Sequence, residues 1–368
     1  MVKVAHVTSV HTRYDIRIFR KQCRTLAAHG HDVSLVVADG RGDEVSDGVK
    51  IVDAGASRGR LNRMFRTTRN VFNKALDLQA DIYHLHDPEL IPVGLKLKKY
   101  GKVVIFDSHE DVPKQLMSKP YLHPLVRRLI SFAFARYERF ACPRLDAILT
   151  ATPFIRDKFL AFHPRVLDIN NFPMVGELDA MVPWNEKHDE VCYVGGITSI
   201  RGIREVVKSL QFLKTPARLN LVGQFSEPSV EAEVKKLEGW GRVIACGQLG
   251  RAQVRDVLGR SLAGLVTFHP LPNHVDAQPN KMFEYMSSGI PVIASNFPLW
   301  REIIEGSQCG ICVDPMNSHA IAEAIDFLVN NPAQAEAMGR NGQRAVNEHY
   351  NWDQEGRKLI DFYSSLIK

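Results

Sequence analysis

One acidic side chain lies where a parallel sheet would present it to a ligand. Glu284 belongs to a stretch in which apolar residues recur at helical spacing until Gly289, after a short apolar run at residues 265–268. The loop between them, residues 269–279, is rich in proline and cannot continue a strand. Glu284 should therefore lie in a helix that begins at the carboxyl end of a strand, where open α/β sheets bind ligands. A carboxylate there can accept hydrogen bonds from ligand hydroxyls, and the helix start favours phosphate.

A pair of glycines forms a second candidate ligand loop. Gly195 and Gly196 follow an apolar strand pattern, and Arg201 precedes Gly202 and a helical stretch. Glycines let the backbone approach a ligand, and amides at a helix start attract a diphosphate. Arg201 adds a planar, permanently charged group that suits phosphate. The alternative is a solvent-facing arginine at the start of a helix.

The loop after the first predicted strand carries four polar side chains, those of His11, Arg13, Asp15 and Arg17. Asp15 is a natural N-cap, which places Arg17 in the first turn of the next helix. A cation is unfavourable there unless an anion lies near. This position favours a ligand role for the loop, and the alternative is a capping aspartate paired with an arginine.

Two further strand ends carry histidines and carboxylates. His84, His86 and Asp87 end one predicted strand, and His109 follows the next. His84 and His86 are two residues apart on a strand and share one face, so a metal site must be considered. No recognisable spacing completes the ligand set, and we expect no metal and no cofactor. For His84 the alternative is a hydrogen-bonded core imidazole.

Strand and helix patterns alternate along the whole chain, which predicts an α/β fold with parallel sheets covered on both faces. A proline-containing segment without periodicity, residues 174–189, predicts a linker between Rossmann-like domains at residues 1–173 and 190–351. The predicted strands are residues 4–10, 33–39, 49–54, 82–86, 103–107 and 147–151 in the first half, and 191–194, 219–222, 243–245, 265–268, 292–294 and 311–313 in the second.

Composition excludes several classes of protein. The 368 residues are 45% hydrophobic and 24% charged, which is typical of a globular chain with two cores. No run of 18 apolar residues and no apolar leader occurs, and the 6 cysteines are scattered, so we expect a cytoplasmic location. The net charge is +6, and residues 1–180 hold 28 Lys and Arg against 20 Asp and Glu. This excess suggests an anionic partner, but no nucleic-acid-binding module is present.

Two segments could contact an anionic membrane surface. Residues 58–72 and 121–140 combine arginines with large apolar side chains, as interfacial helices do. The alternative is an ordinary amphipathic helix with solvated arginines. The arginines of the first segment are Arg58, Arg60, Arg63, Arg66 and Arg69, and Tyr121 begins the second.

Residues 279–295 resemble the donor-sugar motif of retaining family 4 glycosyltransferases, which carry two glutamates separated by seven residues. Glu284 matches the second glutamate, which binds the ribose in that family, and the first falls on Asp276. The glycine loop is similar too, although the family's arginine falls on Gly196 and its lysine on Arg201. Lys281 or Arg204 could supply the missing charge.

The resemblance implies a GT-B fold, in which two Rossmann-like domains face each other across a cleft and a final helix, residues 352–368, returns to the first domain. It implies transfer of a sugar from a UDP-, GDP- or dTDP-linked donor to a glycan or lipid-linked acceptor, with retention of configuration and on the inner face of the membrane. Alternatives are an epimerase or phosphorylase on the same fold and an inactive nucleotide-binding scaffold. Expected catalytic residues are His109, Arg201, Asp276 and Glu284; expected donor-binding residues are Gly195, Gly196, Arg201, Asn280, Lys281 and Glu284; expected acceptor-binding residues are His11, Arg13, Asp15, Arg17, His86 and Asp87.

Overall fold

The computed structural model describes residues 1–56, 59, 62–119, 122–179 and 182–366. The chain forms two compact units, Met1–Asn171 with Trp352–Lys368, and Phe172–Asn351. Residues 174–189, which the sequence analysis assigned to a linker, lie within the second unit. None of the described helices has the length and hydropathy that a membrane span requires.

The first unit is built on an eight-stranded sheet with the order β3-β4-β2-β1-β5-β6-β7-β8. All neighbouring strands are parallel except β3 and β4. The register places His6 of β1 beside His84 of β5. The strands are β1 (Lys3–Val7), β2 (Asp32–Val37), β3 (Glu44–Ser46), β4 (Val49–Asp53), β5 (Ile82–Leu85), β6 (Val103–Ser108), β7 (Ala147–Thr150) and β8 (Val166–Asp168).

Helices cover both faces of this sheet, and the final helix of the chain belongs to this unit. A π-helical segment, Ile16–Cys23, runs into α1 (Arg24–Ala28), and a second one, Arg63–Thr67, runs into α2 (Thr68–Asp77). Short 3₁₀ turns occupy Pro88–Leu90 and Cys142–Arg144. The remaining helices are α3 (Ile91–Lys99), α4 (Val112–Met117), α5 (Pro124–Ala141), α6 (Pro153–Leu160) and α14 (Trp352–Leu366).

The C-terminal helix is anchored in the core of the first unit, as the resemblance implied. Leu359 and Tyr363 are fully buried, and the Trp352 indole donates a hydrogen bond to Thr25 Oγ1 at 2.9 Å. The Tyr363 hydroxyl lies 2.7 Å from His84 Nδ1. The helix therefore contributes both apolar area and a polar contact beneath the carboxyl ends of β1 and β5.

The second unit has a six-stranded parallel sheet with the order β11-β10-β9-β12-β13-β14. Its strands are apolar and mostly buried because helices cover both faces. The strands are β9 (Glu190–Val194), β10 (Arg218–Val222), β11 (Val243–Gly247), β12 (Ala263–Val266), β13 (Val292–Ser295) and β14 (Gly310–Val313). The helices are α7 (Ile203–Ser209), α8 (Pro228–Val234), α9 (Arg251–Arg260), α10 (Asn280–Ser287), α11 (Pro298–Gly306), α12 (Ser318–Asn330) and α13 (Pro332–Glu348), with 3₁₀ turns at Trp184–Glu186, Ser199–Arg201, Leu210–Phe212 and Glu238–Arg242.

Candidate active site

The glycine loop of the second unit, residues 195–202, connects β9 to α7, and two of its glycines have positive φ angles. Gly195 has a φ of +114° and Gly202 a φ of +77°, a region that side-chain-bearing residues rarely adopt. A Cβ atom on Gly202 would lie 2.0 Å from the carbonyl oxygen of Thr267. Gly202 therefore lets the start of α7 approach the end of β12, and this holds Arg201 at the carboxyl edge of the sheet.

Arg201 lies over Gly196. Its Nη1 donates to the Gly196 carbonyl oxygen at 3.2 Å, and a Cβ atom on Gly196 would lie 2.9 Å from the same nitrogen. The guanidinium also lies 5.4 Å from the centre of the Phe268 ring. Arg201 therefore places its charge at Gly196, the position at which the resemblance expected an arginine.

Lys281 presents a buried amine to the same loop. Its Nζ lies 3.6 Å from the centre of the Tyr193 ring and 3.7 Å from the position of a Cβ atom on Gly195. Among the described residues no hydrogen-bond partner reaches this nitrogen. Burial, followed by the charge of Arg201, lowers the pKa of Lys281 well below its usual range. A buried amine that contacts aromatic rings but makes no hydrogen bond is costly, and this favours an anion beside it.

Arg204, the other residue considered as a replacement cation, is already paired. Its Nε donates to Glu233 Oε1 at 2.8 Å, and its Nη2 lies 2.7 Å from Glu233 Oε2. The charge of Arg204 is therefore already compensated by a carboxylate, and Lys281 is the better candidate for the missing cation.

Glu284 lies on α10, on the face opposite a continuous apolar stripe. Its side chain is 16% exposed, and its Oε1 accepts a hydrogen bond from Arg251 Nη1 at 2.8 Å. Arg251 also donates from Nε and Nη2 to the two oxygens of Glu177, at 3.0 and 2.9 Å. Pro279, the residue before α10, has no side chain that can cap the helix, and the first helical residue is the exposed Asn280. The Met282 amide donates to the Pro279 carbonyl oxygen at 3.0 Å, so a ligand at this helix start would meet the amides of Asn280 and Lys281.

Asp276 lies in the loop before α10 and is half-buried. Trp300 and His274 hold this loop: the indole nitrogen donates to the Ala277 carbonyl oxygen at 2.7 Å, and His274 Nδ1 lies 3.0 Å from the His269 carbonyl oxygen. The second unit thus brings Gly195, Gly196, Arg201, Lys281 and Glu284 together around the carboxyl ends of β9 and β12.

Four histidines of the first unit form a cluster towards the carboxyl ends of β1, β5 and β6, namely His6, His84, His86 and His109. His6 Nδ1 lies 2.9 Å from His86 Nε2, and His86 Nδ1 lies 3.2 Å from His109 Nε2. Burial lowers the pKa of His6, His84 and His86, so these imidazoles are neutral at neutral pH.

His11 and Asp87 line the more exposed side of this histidine cluster. His11 Nδ1 lies 3.2 Å from Asp15 Oδ2, and His11 Nε2 lies 3.4 Å from Asp87 Oδ1. Burial alone would lower the pKa of His11, but the hydrogen bond to Asp15 and the charge of Asp87 outweigh burial and raise it. Asp87 is held by Thr8 Oγ1 and the Ser9 amide, at 2.8 and 2.5 Å.

Arg13 and Arg17, expected to face an acceptor, are buried and paired inside the unit. Arg13 donates from Nε and Nη2 to Asp39, at 2.8 and 2.6 Å, and its Nη1 lies 2.9 Å from Glu44. Arg17 donates from Nη2 and Nε to Asp107, at 2.7 and 3.1 Å. Asp15 caps the helical segment by accepting the amides of residues 17 and 18. Asp107 is therefore the anion that compensates the positive charge of Arg17 in the first turn of the helical segment.

Two family models match the chain. The model for "Glycosyl transferases group 1" matches residues 176–345, and the model for "Glycosyltransferase Family 4" matches residues 16–168. The chain belongs to the family 4-like glycosyltransferases. The family resemblance and the GT-B fold that the sequence predicted are both confirmed.

Several curated relatives are named as glycosyltransferases or mannosyltransferases. The chain is 24% identical over 181 residues to the capsular polysaccharide biosynthesis glycosyltransferase CapM of Staphylococcus aureus, covering 48% of this chain and 46% of CapM. It is 21% identical over 362 residues to a phosphatidyl-myo-inositol mannosyltransferase of Mycobacterium leprae, covering 94% and 88% of the two chains. The match to CapM thus spans less than half the length of that relative.

Solved structures confirm the fold. Sucrose-phosphate synthase from Thermosynechococcus elongatus has a TM-score of 0.77 at 19% identity and covers 100% of this chain and 99% of its own. Anabaena HepE in complex with UDP and glucose has a TM-score of 0.77 at 12% identity, with 99% and 100% coverage. WaaG, a glycosyltransferase of lipopolysaccharide biosynthesis, has a TM-score of 0.73 at 14% identity, with 98% and 99% coverage.

Sequence reasoning about the transferase missed three charged residues of these sites. Arg251 pairs with both Glu284 and Glu177, and Asp107 is the counter-ion of Arg17. Asp107 was visible as a carboxylate at a strand end, next to His109. Nothing local in the sequence distinguishes Arg251 from a solvated arginine, because its partners lie 33 and 74 residues away.

Proposed function

We propose that the enzyme transfers a sugar from a nucleotide-sugar donor to a glycan or lipid-linked acceptor, with retention of anomeric configuration. In this proposal the second unit binds the donor. Arg201, Lys281 and the amides of Gly195 and Gly196 bind the diphosphate, with the first amides of α10 at Asn280, and Glu284 accepts hydrogen bonds from the ribose hydroxyls. HepE, solved with UDP and glucose, is a structural neighbour that supports this class of donor.

The observation that carries the proposal is the position of Lys281. Two basic side chains approach the glycine turn, Arg201 at Gly196 and Lys281 at Gly195, and the Lys281 amine lacks a hydrogen-bond partner among the described residues. A diphosphate at this turn would receive both charges together with backbone amides.

The same groups would stabilise the transition state. During transfer the bond between the anomeric carbon and the diphosphate oxygen breaks, and the electron pair leaves with the diphosphate. The acceptor oxygen forms the new bond to that carbon on the same face, and its proton passes to the departing phosphate. Negative charge therefore grows on the diphosphate, and preorganised cations and amides lower the barrier. Asp276 and His109 would orient the sugar, while His11, Asp15, His86 and Asp87 would contact the acceptor.

We also propose that α5 contacts an anionic membrane surface that carries the acceptor. Within this helix only Glu138 and Ala141 are buried. Arginines flank the apolar positions, so the helix combines hydrophobic area with positive charge. Its exposed apolar side chains are those of Leu125, Val126, Leu129, Ile130, Phe132 and Phe140. Of the two segments that the sequence analysis selected, Arg58, Arg60 and Tyr121 lie outside the described residues.

A substitution at Glu284 tests the donor site. Thermal-shift screening against UDP, GDP, dTDP and their sugars first identifies the nucleotide. We then expect Glu284→Ala to reduce kcat/KM for the donor by at least about 100-fold, since the ribose contact and the placement of the diphosphate are lost together. Glu177→Ala is the matched control, because it removes the other carboxylate bound to Arg251 and leaves Glu284 in place.

Three outcomes would contradict the proposal. Wild-type turnover by Glu284→Ala would refute the donor assignment, and product formed without an added acceptor would favour an epimerase or phosphorylase. Nucleotide binding without transfer to any acceptor would favour an inactive scaffold.

A further inference from the structure

A buried tyrosine of the C-terminal helix α14 is connected to the histidine cluster of the first unit. The Tyr363 hydroxyl lies 2.7 Å from His84 Nδ1 and 3.5 Å from His6 Nε2. His6 Nδ1 lies 2.9 Å from His86 Nε2, and His86 Nδ1 lies 3.2 Å from His109 Nε2. Tyr363 and the first three histidines are buried, whereas the His109 side chain is 18% exposed. These contacts form a tyrosine–histidine network that runs from α14 to the most exposed histidine of the cluster.

The hydrogen bonds of this network depend on one another. Burial lowers the pKa of His6, His84 and His86, so all three are neutral imidazoles at neutral pH. A neutral imidazole donates from one ring nitrogen and accepts at the other. Once the direction of one hydrogen bond is fixed, the directions of its neighbours follow.

Asp107 fixes the direction of the network. Burial alone would raise the pKa of Asp107, but the charge of Arg17 outweighs burial and holds the pKa well below its usual range. The ionised carboxylate only accepts hydrogen bonds. His84 Nε2 and His109 Nε2 lie 3.7 and 3.4 Å from Asp107 Oδ2. A proton on either nitrogen is attracted to the carboxylate, whereas a lone pair there would be repelled.

The remaining proton positions follow from this direction. With its proton on Nε2, His84 accepts at Nδ1, and the Tyr363 hydroxyl donates to it. The phenol oxygen then accepts from His6 Nε2, which leaves His6 Nδ1 to accept from His86 Nε2. His86 Nδ1 in turn accepts from His109 Nε2. The reverse order would turn the lone pairs of His84 Nε2 and His109 Nε2 towards a carboxylate.

We propose that Tyr363 is a positioning residue that fixes the tautomers of the histidine cluster, so that neutral His109 keeps its proton on Nε2 and presents Nδ1 as a hydrogen-bond acceptor. The consequence for catalysis rests on the proposed function, in which His109 orients the transferred sugar. In that role His109 Nδ1 accepts a hydrogen bond from a sugar hydroxyl. The enzyme should therefore discriminate against donors that carry hydrogen or a methyl ether in place of this hydroxyl.

Removing the Tyr363 hydroxyl should release the tautomers. Tyr363→Phe keeps the packing of the ring but removes the donor to His84 and the acceptor of His6 at the same time. His6 then has no partner that decides which of its nitrogens carries the proton. His86 and His109 should become mixtures of tautomers, because their hydrogen bonds depend on that of His6.

Nuclear magnetic resonance of the full chain labelled with [¹⁵N]histidine tests this inference. Long-range ¹H–¹⁵N correlations distinguish protonated from unprotonated ring nitrogens, and His86→Gln and His109→Gln assign the signals. Spectra are recorded without substrate at a pH above the usual histidine pKa of about 6.5. We expect a single Nε2–H tautomer for His86 and His109 in the wild-type protein and a mixture in Tyr363→Phe.

Tyr83→Phe is the matched control. It also removes the hydroxyl of a fully buried tyrosine in the first unit, one that accepts a hydrogen bond from the Ala80 amide at 3.0 Å. The tautomers should be the same in this variant as in the wild-type protein. Tautomer mixtures in both variants would show a general loosening of the core and would overturn the inference.

Two further results of the same spectra would overturn it: unchanged tautomers in Tyr363→Phe, or an Nδ1–H tautomer of His109 in the wild-type protein. Because the spectra need neither donor nor acceptor, they test the inference separately from the proposed function, which an absence of transfer by the wild-type protein would contradict.

Transfer kinetics test the link to the sugar. Tyr363→Phe should lower kcat/KM about threefold or more in the wild-type background and have no further effect in His109→Gln, since it acts through His109. Equal effects in the two backgrounds would overturn this link.

Discussion

Replacing Lys281 with methionine should weaken nucleotide binding while stabilising the protein. Methionine keeps the length of the side chain and packs well against aromatic rings, here those of Tyr193 and Phe268. It removes the amine, which is buried without a hydrogen-bond partner among the described residues. A buried unsatisfied polar group costs about 1–3 kcal/mol, so the free energy of unfolding of the unliganded protein should rise by a similar amount.

The effect on binding follows from the charge. Two unit charges about 4 Å apart attract each other by about 4 kcal/mol at an effective dielectric constant of about 20. Part of this attraction is offset by the free energy needed to protonate the amine, because burial lowers the pKa of Lys281. Each pH unit between a lowered pKa and the working pH costs about 1.4 kcal/mol. The net loss on removing the amine is therefore less than about 4 kcal/mol, and we expect the Kd for the nucleoside diphosphate to rise by at least about 10-fold.

Protonation of Lys281 also gives the binding reaction a characteristic dependence on pH. The lowered pKa leaves the amine largely neutral in the free protein when the pH is above that value, and the diphosphate raises the pKa on binding. The wild-type protein should therefore take up a proton when it binds the nucleotide, and its affinity should fall as the pH rises. The variant should show neither effect.

Isothermal titration calorimetry in two buffers with different ionisation enthalpies measures both affinity and proton uptake, and thermal unfolding measures stability. Arg204→Met is the matched control: it removes a nearby cation that is already paired with Glu233, and Kd should change less than about twofold. Unchanged affinity in Lys281→Met, or a loss of stability with unchanged proton uptake, would refute the reasoning and make Lys281 a structural residue.

Two other predictions concern the membrane surface and the glycine loop. The wild-type protein should sediment with vesicles that contain anionic lipid at low salt, and Leu129→Glu, on the exposed face of α5, should reduce the bound fraction severalfold; binding equal to wild type by this variant would exclude α5 as the contact. Gly202→Ala should lower the free energy of unfolding by more than about 2 kcal/mol, because the new Cβ would lie 2.0 Å from a carbonyl oxygen at a positive φ. Gly30→Ala is the control, because Gly30 also has a positive φ but no described atom lies within 4 Å of the new Cβ. Chemical denaturation should show that this change lowers the free energy of unfolding by only about 1 kcal/mol. Equal losses at the two glycines would refute the close approach at Gly202.

Most of the architecture could be predicted from the sequence. Each predicted strand corresponds to a strand of the structure, because buried parallel strands are continuous apolar runs between turn signals. The exceptions are β3 and β8, each three residues long at an edge of the sheet. Three residues are too few to show a period, and an edge strand needs no continuous apolar run.

The pairing of charges could not be predicted in the same way. Arg17 was interpreted as awaiting an anionic ligand, but its partner is Asp107, 90 residues further along the chain. From the sequence, Lys281 and Arg204 were equally good substitutes for the missing cation. The structure distinguishes them, because Arg204 is hydrogen-bonded to Glu233. Such pairings depend on which strand ends meet at the edge of the sheet, and a single sequence does not contain that information.

The location of charge in the structure also changes the interpretation of the basic first half. Its excess of Lys and Arg suggested an anionic ligand, but Arg13 and Arg17, the arginines nearest the histidine cluster, are neutralised by internal carboxylates. The unit with fewer basic residues contains the two basic side chains that lie beside a glycine turn, Arg201 and Lys281, and Lys281 gains its charge when an anion binds. Net charge counts side chains whether or not they are paired, whereas an anion site requires cations whose charge the protein leaves uncompensated. We therefore assign the proposed diphosphate site to the second unit. The basic excess of the first unit can attract an anionic partner only where its arginines remain exposed, as Arg128, Arg136 and Arg139 do on α5.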